Sequence, residues 1–170
     1  MRPYSVFCFL REHPELQSMK ESRQHKNTDT YVHCSHVALK SIRMIRSMKI
    51  QADVEAVVRG AMLHDFHLDD VRREPCSSWQ RAKRHPQVAL AKAEEIFELG
   101  WREKNIIASH MWPIQIGQIP RCKEAVIVNL ADKLCAIEER FLWNHAGKKM
   151  NRDILFLKKM ERENSAISKI

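Results

Sequence analysis

Six residues in this chain have the side chains that transition metals bind, and most of them stand at predicted helix ends. They are His33, His64, Asp65, His85, His110 and Asp132. Imidazole nitrogens and carboxylate oxygens are good ligands for Zn, Mn and Fe, and one carboxylate can bridge two cations that would otherwise repel each other. Two such ions can clamp a phosphoryl oxygen and lower the pKa of bound water. The residue types therefore point to metal-dependent chemistry on a phosphate.

Two of these positions are informative by their context. His64 and Asp65 are adjacent, so one helix terminus delivers a nitrogen ligand and a bridging oxygen ligand together. The alternative is a helix-terminal histidine beside a capping carboxylate. Asp132 lies in an apolar stretch, where an unpaired buried charge is costly, so a metal or a basic partner is expected for it.

The elements that must position these residues are helices. The chain has 170 residues, of which 44% are hydrophobic and 29% charged, with only 4 Gly and 6 Pro. This length is that of one domain with its own core, and the shortage of turn residues disfavours a fold of many short strands. We predict an all-α fold, a bundle of about six helices, in a single domain spanning 1–170.

Apolar periodicity and capping residues place the helices. We predict them from Thr28 to about residue 49, Asp53 to His64, Pro86 to Leu99, Arg102 to His110, Lys123 to about Trp143, and at about 151–162. The first 27 residues read as an irregular N-terminal extension, and 65–79 and 111–120 as loops, the former with one short turn.

The five cysteines are odd in number and form no CxxC pair, which is typical of reduced thiols in a cytoplasmic protein. No window approaches the ~20 apolar residues that a membrane span needs. We therefore expect a soluble, cytoplasmic protein with no membrane association.

Three motifs carry a family resemblance. They are His33-Cys34-Ser35-His36-Val37-Ala38, Ala61-Met62-Leu63-His64-Asp65, and Leu130-Ala131-Asp132-Lys133-Leu134. In this order, over about 28–140, they resemble the HD superfamily of metal-dependent phosphohydrolases, which are all-α. His85 with Pro86, and His110, stand in contexts similar to the two extra histidines of binuclear members. The runs 63–66 and 110–113 look like those of small bacterial HD proteins.

The resemblance implies roles for the six residues. His33, His64, Asp65 and Asp132 would hold one divalent metal, and Asp65 would bridge to a second that His85 and His110 complete. The ions would be Fe, Mn, Zn or Ni, and metal-activated hydroxide would attack the phosphorus of a phosphomonoester or phosphodiester such as a nucleotide.

The chain also departs from binuclear relatives. Phe66, His67 and Leu68 follow the HD pair where many have Ile, Gly and a phosphate-contacting Lys. Met111, Trp112 and Pro113 replace the Gly-Tyr-Pro signature that follows the last histidine in cyclic di-GMP phosphodiesterases. Both differences argue against cyclic di-GMP as substrate.

Several residues near the six have two interpretations. His67 is either an exposed loop residue or the catalytic proton donor to a leaving group. Lys83 and Arg84 either bind and steer the substrate phosphate or lie on a solvated helix. Trp112 either stacks on a nucleobase or packs the loop. His36 lies near the same face as His33, and motif spacing favours His33 as the ligand.

Two other functions remain open. The net charge of +8 and the missing lysine allow a catalytically weak regulator that binds nucleotides or nucleic acid. A mononuclear, nucleotidase-like site would instead leave His85 and His110 to contact the phosphorylated substrate. Exposed apolar residues in the terminal helices would support a homodimer.

Overall fold

The computed structural model describes residues 3–21, 23–25 and 28–141. The predicted C-terminal helix at 151–162 lies outside the described residues. Eight helices and one short hairpin follow one another: α1 (Pro3–Glu12), α2 (Pro14–Ser18), a 3-10 turn (Met19–Glu21), β1 (Arg23–His25), β2 (Thr28–Asp29), α3 (Thr30–Ser47), α4 (Val54–Leu63), α5 (Leu68–Arg72), α6 (Ser78–Ile96), α7 (Trp101–Ser109) and α8 (Lys123–Phe141).

The all-α prediction is confirmed. Helix α3 contacts α4 and α8, and α7 contacts the same two helices, so these four enclose the core. The N-terminal helix α1 lies on α4, and α6 lies on α7 with α5 beside it. Each N-terminus has a side-chain cap where the sequence offers one: Asp29 accepts a hydrogen bond from Val32 N at the start of α3, and Asp53 accepts one from Ala56 N at the start of α4.

The prediction of an irregular N-terminal segment was wrong. Two α-helices and a 3-10 turn span 3–21, with His13 between the two helices, because apolar side chains of this segment pack into the core. Phe7, Leu10 and Leu16 are almost completely buried. The segment's polar residues lie outside this short apolar stripe and obscure it in the sequence. The two-residue β2 pairs antiparallel with β1, a contact that the sequence pattern did not indicate.

Helix α6 begins two turns earlier than predicted. Ser77 accepts a hydrogen bond from the backbone of Gln80, and the Gln80 side chain accepts one from the backbone of Ser77. This capping box starts the helix at Ser78 and leaves Pro86 in its interior. A proline there removes one backbone hydrogen bond, and the burial of His85 and Pro86 against the core offsets that loss.

Among the described residues, no helix combines the length and the apolarity needed to cross a membrane.

A close approach of α4 and α7 requires a glycine at position 60. A Cβ atom there would lie 2.7 Å from Cγ2 of Ile106, which is completely buried. We expect Gly60→Ala to destabilise the fold by about 1–3 kcal/mol, although alanine is the better helix former, because the core would be overpacked. Chemical denaturation measures this difference. The control is Gly117→Ala, whose added Cβ meets nothing within 4 Å; an equal effect of both variants would contradict the packing argument.

Candidate metal centre

Five helices bring the six predicted residues into one buried cluster. His33 comes from α3, and His64 and Asp65 follow directly at the end of α4. The other three come from α6, the end of α7, and α8: His85, His110 and Asp132. All six are buried. Within each of two sets, the ligand atoms lie no more than 4.8 Å from one another. One set comes from His33, His64 and Asp132, and the other comes from His64, Asp65 and His110.

The first set is joined by Asp132. Its Oδ1 atom lies 3.0 Å from Nε2 of His33 and 3.7 Å from Nε2 of His64. These two imidazoles therefore direct their Nε2 atoms at the same carboxylate oxygen.

Asp65 belongs to the second set and faces imidazoles through both of its oxygens. Its Oδ2 atom is 3.5 Å from Nε2 of His64, whereas its Oδ1 atom is 3.3 Å from Nε2 of His85 and 3.5 Å from Nε2 of His110. The two oxygens of one carboxylate thus face different imidazoles, which is the arrangement that a bridging ligand needs.

Backbone carbonyls orient three of the imidazoles. Nδ1 of His64 donates to the carbonyl of Ala61 at 2.8 Å, and Nδ1 of His110 to the carbonyl of Ile107 at 2.8 Å. Both carbonyls lie in the last turn of a helix, where intrahelical donors are lacking. Nδ1 of His85 donates to the carbonyl of Arg81 at 3.0 Å. In the neutral ring, which has its proton on Nδ1, each Nε2 would present a lone pair, as metal-ligating histidines do.

The arrangement of these lone pairs fits divalent cations. Nε2 of His64 is buried and has no hydrogen-bond partner in the described part of the chain. The Nε2 atoms of His85 and His110 lie 2.8 Å apart. Two lone pairs this close repel each other unless they share a proton or a cation. Because the surrounding donors are imidazoles and carboxylates, the residues present fit one or two transition-metal ions.

The carboxylates keep their negative charge despite burial. Burial opposes ionisation of His33 and Asp132, but their mutual hydrogen bond and charges outweigh it, raising the pKa of His33 to about 10 and lowering that of Asp132. Burial likewise opposes ionisation of Asp65, yet the charge of His64 and hydrogen bonds from His110 and His85 hold its pKa well below the usual range. The ionised carboxylates are therefore balanced by protons on the imidazoles, which a metal ion would displace on binding.

Comparison with known families agrees with this geometry. The sequence model of the HD domain matches residues 30–137, which include all six residues of the cluster. The chain belongs to the HD domain family. Members of this family are generally metal-dependent hydrolases. Neither the curated proteins nor the solved structures include a significant match to the chain.

Glu139 is a site residue of this HD domain that the sequence analysis missed. Its Oε2 atom accepts a hydrogen bond from Nδ1 of His33 at 2.9 Å, and its Oε1 atom lies 3.1 Å from Nδ1 of His36. The two histidines, against the effect of burial, lower the pKa of Glu139 to about 2. A carboxylate behind a ligating histidine fixes the ring and raises its basicity. The sequence contained one indication of this role: Glu139 lies two turns after Asp132, on the same face of the helix.

We expect Glu139→Gln to weaken metal binding by about 10–100-fold, because the neutral amide no longer fixes the charge and orientation of His33. Titration with Mn²⁺ or Zn²⁺ measures the change. Glu138→Gln is the matched control, because Glu138 instead forms a half-buried ion pair with Lys40. Equal affinities for the two variants would exclude this role of Glu139.

Two further residues of α8 hold the end of α7 in place. The Asn129 side-chain amide donates to the carbonyls of Ser109, His110 and Trp112 at 3.2, 2.7 and 2.9 Å. Nζ of Lys133 donates to the carbonyl of His110 at 3.2 Å. The basic residue after Asp132 in the HD motif therefore contacts the backbone of a candidate ligand.

The predicted catalytic and substrate-binding residues outside the cluster lie nearer the surface. His67 directly precedes α5 in a left-handed conformation, with φ of 55°, and its Nδ1 lies 3.3 Å from Oδ2 of Asp70. Nζ of Lys83 covers the ring of Trp79 at 3.4 Å from the centroid.

Arg84 forms an ion pair with Glu74. Trp112 is 40% exposed. The roles of these residues in binding or proton transfer stay predictions.

Proposed function

We propose that the chain is a two-metal phosphohydrolase that cleaves a phosphomonoester or phosphodiester such as a nucleotide. The observation that carries this proposal is the position of Asp65. Because its two oxygens face separate imidazole sets, one carboxylate is placed to bind two cations at once.

In this proposal each metal has its own histidines. His33 and His64 would hold the first ion with Asp132, His85 and His110 would hold the second, and Asp65 would be shared. The ions would supply the positive charge that activates water and stabilises the negative charge developing on the phosphoryl group.

The protein would hold the metal ligands in fixed orientations and shield them from bulk water. The hydrogen bonds from Nδ1 to backbone carbonyls hold the rings of His64, His85 and His110, so little reorganisation is needed on binding. His64 is completely buried, which excludes bulk water from that side.

We further propose that His67, two residues after Asp65, gives a proton to the leaving group. We also propose that Lys83, Arg84 and Trp112 contact the substrate, with Trp112 exposed for stacking on a base.

Elemental analysis of the as-purified protein, combined with hydrolysis assays, tests the proposal. We expect about two equivalents of transition metal, hydrolysis of p-nitrophenyl phosphate or bis(p-nitrophenyl) phosphate, and loss of activity on metal chelation. One equivalent would indicate the mononuclear alternative. Absence of bound metal together with no turnover across a phosphoester panel would overturn the proposal.

A cytoplasmic location and self-association are separate proposals. All five cysteines are free thiols, which supports a reducing compartment. Val126, Leu130, Leu134 and Ile137 form an exposed apolar stripe along α8, which supports a homodimer. Analytical ultracentrifugation measures the oligomeric state.

A further inference from the structure

An arginine on α6 occupies the face of that helix which carries a candidate metal ligand. Arg81 precedes His85 by four residues, so the two residues share one face and are separated by about 6 Å along the helix axis. Nδ1 of His85 donates to the carbonyl of Arg81 at 3.0 Å, which places the imidazole over the turn that bears Arg81. Nε2 of the same ring lies 3.3 Å from Oδ1 of Asp65. Arg81 therefore lies one helical turn from the cluster of candidate ligands.

The guanidinium of Arg81 has donors that the protein leaves unused. Its Nε atom is buried and has no hydrogen-bond partner in the described part of the chain. Its Nη2 atom reaches the carbonyl of Cys76 at 3.4 Å, which is a long contact. Among the described residues, no carboxylate forms an ion pair with it. The residue is half-buried, so a ligand can reach it. Because a guanidinium carries five N–H donors and a buried donor without a partner costs free energy, Arg81 is suited to bind an anion.

The two basic residues that follow Arg81 are placed differently. Lys83 lies two residues before His85, about 200° round the helix from it, and its Nζ atom covers a tryptophan ring at 3.4 Å from the centroid. Arg84 is exposed and forms an ion pair with Glu74. In the structure as described, Arg81 is thus the one of these three that shares the face of His85 and has no carboxylate partner.

The geometry of a guanidinium determines which phosphate ester it can bind at the reacting position. Two parallel N–H donors contact two phosphate oxygens side by side. A phosphomonoester has three terminal oxygens, so one remains for the cations of the proposed centre, and it also carries the larger negative charge. A phosphodiester has only two terminal oxygens. An arginine contact with the reacting group therefore favours a phosphomonoester.

We propose that Arg81 binds two terminal oxygens of the reacting phosphoryl group and so makes the substrate a phosphomonoester. This inference rests on the proposed function for the reaction itself, and it selects one of the two ester classes named there. Lys83 and Arg84 then contact parts of the substrate farther from the reacting atom. The contact of Arg81 with phosphate can be measured without turnover.

Binding of inorganic phosphate, the product of monoester hydrolysis, to the as-purified protein tests the contact by calorimetry. We expect Arg81→Gln to weaken phosphate binding by about 10–100-fold, the effect of losing charge-assisted hydrogen bonds, and Arg81→Lys to retain part of the affinity. Arg73→Gln is the matched control, because it removes the same charge from an exposed position at the end of α5. Wild-type phosphate affinity in Arg81→Gln would overturn the inference.

The metal content separates phosphate binding from support of His85. The hydrogen bond that orients His85 is accepted by the backbone carbonyl of residue 81, which every substitution retains. The Arg81 variants should therefore keep the metal content and the unfolding midpoint of the wild type. Loss of a metal ion from both variants along with phosphate affinity would show that Arg81 acts through His85, and the inference would be wrong.

Two model substrates test the ester class. The kcat/KM for p-nitrophenyl phosphate, a monoester, should fall by about 10–100-fold in Arg81→Gln, whereas the value for bis(p-nitrophenyl) phosphate, a diester, should change less than about threefold. Equal losses on the two substrates would contradict the assignment, since Arg81 would then not distinguish a third terminal oxygen.

The two proposals fail in different ways. If the wild type hydrolyses no phosphoester but Arg81→Gln still loses phosphate binding, the proposed function is wrong and the phosphate contact stands. If hydrolysis occurs and phosphate binds equally to the wild type and the variant, the function stands and the contact is wrong.

Discussion

An Asp65→Asn variant should lose at least about a hundredfold in kcat/KM for phosphoester hydrolysis, the effect of removing one stabilising contact from a transition state. Asparagine keeps the shape of the side chain but replaces one oxygen with an amide and removes the charge. The variant can therefore no longer offer an anionic oxygen both to His64 and to the pair formed by His85 and His110. The bound metal should fall below the wild-type content in the same preparation.

Steady-state assays and elemental analysis of the same sample measure both effects. Glu95→Gln is the control for loss of one carboxylate, because Glu95 lies at the surface in an ion pair with Lys92. Wild-type activity and metal content in the Asp65 variant would show that the carboxylate does not bridge ions.

Replacing His85 and His110 together by Asn should remove one metal ion and leave the other. Their Nε2 atoms lie close to each other and to Oδ1 of Asp65, whereas His33 contacts Asp132, which in turn lies 3.7 Å from His64. The metal content should fall from about two equivalents to about one, and hydrolysis should fall by about a hundredfold or more because only one cation would remain to stabilise charge. Both histidines are replaced so that neither imidazole remains without the ring that it faces in the wild type.

His13→Asn is the matched control for this double variant. His13 caps α2 through a hydrogen bond from the backbone of Glu15, and asparagine is a good residue at that position. An unchanged metal content in the double variant would refute a second site at these histidines. Loss of both ions would contradict the prediction that the two positions are separable.

Local features of the sequence determined much of the candidate site. The Asp53 cap and the apolar repeat predicted a helix that ends at His64, and the structure ends α4 at Leu63. The apolar context of Asp132 predicted a buried charge with a partner, and His33 lies 3.0 Å from it. These predictions depended on helix periodicity, capping and residue chemistry, which act over a few positions along the chain. The motif order then indicated the family.

The other features of the site and the fold depend on interactions between segments that are distant in the sequence. Glu139 orients a histidine 106 positions away, and no local pattern marks that pair. Pro86 lies inside α6, against its intrinsic preference, because the capping box and burial outweigh one lost hydrogen bond. Helix packing sets these distances, so the sequence alone determined the ligand types and the helices that carry them, whereas the tertiary structure determined which charges face each other.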